Sequence, residues 1–107
     1  MRIGVDAMRE HIERLVAEDF ELVCNWTARK AAACLEINEI WIPHIKSEIS
    51  YATALHEFGH LRGRWRLSRY VLVRERDAWR WAKRNALVWK AEWRQTARTR
   101  SPGMRDE

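Results

Sequence analysis

The chain has 107 residues, 47% of them hydrophobic, with seven Trp, which is core material for one domain spanning residues 1 to 107. No run approaches the roughly 18 to 20 uninterrupted apolar residues that cross a bilayer, and Asp6 and Glu10 fall where a secretory signal would be apolar, so the expected compartment is cytoplasmic, away from membranes. The net charge of +5 is uneven, with most acids before residue 62 and most basic residues after it; a solvated, Arg-rich helix face is the expected reading, and nucleic acid the less favoured partner.

From Asp6 to Val23 the pattern predicts an amphipathic helix with Asp6 as N-cap and Val5, Met8, Ile12, Leu15, Val16 and Val23 on one stripe. Leu35 to Ile42 alternates, is rich in Ile and ends at Pro43, which predicts a strand; Trp26 to Ala33 would supply its hairpin partner. Cys24 and Cys34 are expected to be reduced thiols. Ser47 and Ser50 are candidate caps for a helix that starts at Glu48 or Tyr51, runs to Arg62 and stops at Gly63.

A long helix is expected from about Arg69 to Gln95. Val71, Ala78, Trp79, Ala82, Ala86, Trp89 and Trp93 share a sector about 90° wide, with Arg76, Arg80, Lys83 and Arg84 on the far side. The tryptophans on this reading point away from the basic face, which leaves no outward stacking platform for bases. Residues 96 to 107 have no apolar face and are expected to be a mobile tail.

The strongest chemical signal is His56-Glu57-Phe58-Gly59-His60. Histidines at i and i+4 share one helix face and can reach one zinc ion together, while the glutamate between them can take a proton from an attacking water. A catalytic zinc takes a third protein ligand. Glu75 interrupts the apolar stripe of the next helix about 40° from Val71, where an unpaired carboxylate is costly and a shared cation would neutralise it. Asp77 lies some 160° from Glu75, toward the arginines, on the same helical geometry. Small residues at Ala78 and Ala82 would let the two helices approach closely. His44, and less so His11, remain alternative ligands.

These residues resemble the gluzincin metallopeptidases, in particular the compact ImmA/IrrE-like and minigluzincin types. Those pair a HExxH helix with a later glutamate helix, which looks like Glu75-Arg76-Asp77-Ala78-Trp79 here. The approach from Ile42-Pro43 to Tyr51-Ala-Thr-Ala-Leu55-His56 is similar to small members from phages and mobile elements. Two departures stand out: only fourteen residues separate His60 from Glu75, and Trp79 stands where many members carry an Asp four residues after the ligand Glu.

The resemblance implies an α+β, zincin-like domain: an N-terminal helix, a sheet of two or three strands, the HExxH helix and the glutamate helix. It implies zinc on His56, His60 and Glu75, with Glu57 as general base in peptide-bond hydrolysis. The substrate would be a peptide or protein added along the edge Glu36 to Ile42, with Tyr51 or Tyr70 as candidate oxyanion partners. A tail of residues 101 to 107 folded back on the cleft would confer latency. A different class of reading is a zinc-stabilised regulatory module whose Arg-rich face contacts nucleic acid or an acidic protein; its structural zinc would take a fourth ligand such as His44.

Overall fold

The computed structural model describes residues 3–99, which form an α+β fold with four α-helices and one three-stranded sheet. Helix α1 spans Val5–Glu18, strand β1 Val23–Trp26, β2 Ala32–Cys34, β3 Glu39–Ile42, helix α2 Glu48–Arg62, α3 Val71–Asn85 and α4 Trp93–Thr99. No helix is long and apolar enough to cross a membrane.

Helix α2 lies at the centre. Tyr51, Ala52, Ala54, Leu55, Phe58 and Leu61 are all buried, so apolar residues cover most of its circumference, as a core helix requires. Its start is fixed by Ser47 and Ser50, which cap each other's backbone N–H groups in a reciprocal box. Its far end is tied to α1, where the Arg62 guanidinium donates to Asp19 Oδ2 at 3.0 Å. The remaining core comes from Met8 and Ile12 of α1, Ile40 and Ile42 of β3, and Trp79, Trp81, Ala82 and Trp93.

The sheet differs from the expected hairpin. The strand order is β1-β3-β2, with β1 parallel and β2 antiparallel to β3. Strand β3 begins only at Glu39, because residues 35–37 form a 3-10 turn that Asn38 closes in the left-handed conformation (φ 51°), which Asn tolerates better than most residues. Helix α1 begins at Val5, so Asp6 sits in the first turn and pairs with Arg9 instead of capping. It stops at Glu18, which frees Val23 for β1. Cys24 and Cys34 are free thiols on the two outer strands, with β3 between them.

The expected helix from Arg69 to Gln95 is two helices. Leu87 N–H, which a continuing helix would bond to residue 83, donates instead to the buried Tyr51 hydroxyl at 2.9 Å. The chain bends there, and α4 returns along α2 with Trp93 edge-on to Tyr51 at 6.1 Å. Residues 96–99 therefore belong to a helix, and the rest of the expected tail, 100–107, lies outside the described residues.

Helices α2 and α3 meet backbone to backbone. A Cβ added at Gly59 would overlap the Ala78 carbonyl oxygen and lie 2.8 Å from Ala78 Cα. Gly59→Ala must therefore wedge the two helices apart. We expect a loss of about 1–3 kcal/mol in urea unfolding, together with weakened metal uptake, because the same crossing sets the distance from α3 to the α2 histidines.

Candidate metal centre

His56 and His60 sit one turn apart on the face of α2 that meets α3, with ring centroids 4.6 Å apart. The contact at Gly59 and Ala78 brings Glu75 across from α3. Its Oε1 lies 3.0 Å from His56 Nε2 and its Oε2 2.9 Å from His60 Nε2, so one carboxylate bridges both imidazoles. Glu57 approaches His56 from the other ring nitrogen, with Oε2 3.5 Å from Nδ1.

Two carboxylates thus flank the two imidazoles. His56, Glu57 and His60 form a group whose potential donor atoms all lie within 4.8 Å of one another, close enough to hold a metal ion. Glu75 is the nearer partner of both Nε2 atoms. Two imidazoles and a carboxylate are a donor set that suits zinc, whose bonds to N and O are roughly 2.0–2.2 Å, shorter than the 2.9–3.0 Å bridge here.

Trp79, one turn after Glu75, lies flat on His56, with centroids 4.2 Å apart and planes inclined by 13°. The indole is 3% exposed, and its Nε1 is the only buried side-chain polar atom without a hydrogen-bond partner among the described residues. Stacking on His56 and an edge contact to Trp89 at 6.1 Å hold it in place. It stiffens the His56 ring, a role the sequence reading did not assign.

Asp77 corrects an expectation. It does not point to the solvated arginines but is 2% exposed, and its Oδ2 accepts the Trp65 backbone N–H at 2.9 Å. The α2–α3 connection folds over this side of α3 and covers it. A Cβ at Gly63 would overlap Asp77 Oδ2, so the glycine that ends α2 also makes room for this clasp.

The alternative ligands lie elsewhere. His11 is buried against the Tyr51 hydroxyl at 2.7 Å, and His44 stacks on Trp26 with centroids 5.4 Å apart. Tyr51 is engaged by His11 and Leu87 and does not line the cleft; Tyr70 is 59% exposed and accepts a hydrogen bond from Arg69. The segregation of tryptophan from arginine on α3 is also incomplete, since Trp79 and Trp89 line a groove with Arg76, Arg80, Lys83 and Arg94.

The histidines and Glu75 open into a cleft of about 720 Å³. Ala31, Ala33 and Cys34 of the β2 region form one wall, and the connection from Arg66 to Arg69 with the start of α3 forms the other. Strand β3 is the centre of the sheet, so the free edge beside the site is β2 and not Glu36 to Ile42. Neither the family models, nor the curated proteins, nor the solved structures compared with this chain match it.

Burial at this depth pulls the His56 pKa down, but the hydrogen bonds it donates to Glu57 and Glu75 and their negative charge outweigh it and raise it to about 9. Burial pushes Glu75 upward, yet its hydrogen bonds and charge attraction with His56 and His60 hold it well below the usual carboxylate range. The two shifts act on stability with opposite signs. The His56 contribution is complete below its ordinary value of 6.5 and is lost as pH rises through about 9; that of Glu75 is present above 4.5 and is lost as pH falls.

The metal-free chain should accordingly be most resistant to urea between pH 4.5 and 6.5, weaken as pH rises from 6.5 to about 9 and lose no more from His56 above it. A metal ion must displace the His56 proton, so zinc addition to the chelated protein in weak buffer near pH 7.5 should release about one proton per metal, read with an indicator dye.

Proposed function

We propose that this protein is a zinc metallopeptidase of the gluzincin type, with a zincin-like arrangement in which His56, His60 and Glu75 hold the metal and Glu57 is the general base. The observation that carries the reading is the Glu75 carboxylate spanning both Nε2 atoms across the α2–α3 contact. A carboxylate so placed is the third ligand that a HExxH pair lacks, and it comes from the following helix, as the resemblance implies.

Bound zinc would polarise the scissile carbonyl and acidify a water molecule. Everything else falls to the chain. Glu57, 7% exposed and lining the same cleft, accepts a proton from the attacking water on its carboxylate and returns it to the leaving amine. Trp79 and Glu75 fix the plane of His56. An extended peptide pairs along the outer edge of β2, where the backbone of Ala31 to Cys34 borders the cleft. Trp79 stands where many gluzincins carry a carboxylate, so a ring face supports the imidazole alongside Glu57 and Glu75 on its nitrogens. Latency by a folded-back tail of residues 101 to 107 concerns positions outside the described residues.

A specific observation sustains a second reading. Glu57 groups with both histidines within 4.8 Å, so it could serve as a fourth ligand and close the site into a structural one. One variant separates the two. Glu57→Gln should keep stoichiometric zinc by elemental analysis while peptide hydrolysis falls by at least ~10²-fold, as expected for loss of a general base. Loss of zinc from that variant would make Glu57 a ligand and the site structural.

Glu75→Ala should lower zinc affinity severely and reduce stability, because metal-binding energy is in part folding energy. His44→Ala should keep its metal. Asp77→Ala should also keep it, but lose about 1–3 kcal/mol of stability from the orphaned Trp65 N–H.

A further inference from the structure

The walls of the cleft carry an excess of uncompensated positive charge. Lys30 stands exposed on the sheet side; Arg66 and Arg69, also exposed, and the half-buried Arg74 stand on the side of the α2–α3 connection. None of the four is paired with a carboxylate among the described residues, whose Lys and Arg bridges are Arg9–Asp6, Arg62–Asp19 and Lys90–Glu48. The arginines are nevertheless positioned. Arg66 Nη1 donates to Gly63 O at 3.1 Å, Arg74 Nη1 to Ser68 O at 2.7 Å and Arg69 Nη2 to the Tyr70 hydroxyl at 3.0 Å.

Each guanidinium is anchored through a neutral acceptor, so it keeps its full charge and further donors for a ligand. Of the cleft's acids, Glu75 is occupied by two imidazoles and Glu57 faces His56, which leaves Glu36 as the only other carboxylate on the lining. A polypeptide that crosses the site meets cations on both sides of it. Resting on the peptidase reading of this cleft, we infer that its substrate is an acidic polypeptide segment whose Asp or Glu side chains near the bond presented to Glu57 face both walls of the cleft. Lys30 receives the side chain toward β2, and Arg66, Arg69 and Arg74 receive those toward α3.

The test measures binding and cleavage separately. Three labelled, unstructured peptides of equal length, one rich in Glu and Asp, its Gln and Asn counterpart and a Lys counterpart, are titrated by anisotropy against the full zinc-loaded Glu57→Gln chain. The acidic peptide should bind about tenfold tighter than the amide one at low salt, and the gap should shrink several-fold at about 0.5 M salt. Lys30→Gln/Arg66→Gln/Arg69→Gln should bring the two peptides to within about twofold of each other. Arg80→Gln/Lys83→Gln, which removes charge from the neighbouring groove, should leave the preference in place.

Equal binding of acidic and amide peptides overturns the inference, as does an equal loss from the groove variant, which would make the preference a property of the net charge alone. Cleavage of both peptides at one rate by the unsubstituted chain, with equal binding, sinks the acidic specificity and leaves the peptidase reading standing. Acidic preference in binding without cleavage of any peptide sinks the peptidase reading and leaves the acidic ligand of the cleft in place.

Discussion

The structure depends on one contact, the meeting of the α2 and α3 backbones at Gly59 and Ala78, where no room exists for even a methyl group on Gly59. Two helices with ordinary side chains at their crossing lie 8–10 Å apart. Here the missing Cβ lets them close further, and at that distance a side chain as short as glutamate spans from α3 to both histidines of α2. The same registration lays Trp79 flat on His56 and carries Asp77 to the start of the connecting segment, where it binds Trp65 N–H. Carboxylate bridge, ring support and clasp occupy five consecutive residues of α3 because the helix touches three different surfaces within little more than one turn.

That proximity also sets the electrostatics. Two imidazoles and two carboxylates crowd into one half-buried site at the mouth of the cleft, where each charged group has a partner. The protonated His56 is held from both ring nitrogens, and Glu75 has both oxygens engaged. Such pairing keeps the half-buried Glu75 carboxylate ionised. A proton on His56 supplies the positive charge that the facing carboxylates require.

Local signals were legible in the sequence wherever chemistry or capping is short in range. The HExxH pair, the Ser47 and Ser50 box and the stop at Gly63 could all be read from spacing, whereas the apolar stripe that Glu75 was expected to interrupt is exposed at Val71. What could not be read were features decided by distant partners. Asp77 looked solvated because helical geometry says which way a residue points but not that the chain will fold back over it. The helix expected to run to Gln95 breaks because the Tyr51 hydroxyl, 36 residues earlier, takes the Leu87 N–H. Strand β1 went unread, its Val23 placed at the end of the expected first helix and its Trp26 in the expected hairpin partner, since its parallel pairing with β3 leaves no local turn signature. Gly59 was a signal in plain sight: a glycine inside a helix between two histidines has a cost unless something must come close.

The position of the candidate centre in the core has a consequence for a chain of this size. In a larger domain a metal site can occupy a loop on a finished scaffold, whereas here the helix that bears the histidines is the scaffold. Tyr51 of α2 joins α1 through His11, fixes the bend after α3 through Leu87 and packs against Trp93 of α4, all one and a half turns before His56. An unbroken series of ring contacts runs from His56 through Trp79, Trp89 and Trp93 back to Tyr51 and His11. Anything that shifts α2 along its axis must disturb this series and the Glu75 bridge together. Order at the centre and order in the core are therefore one property.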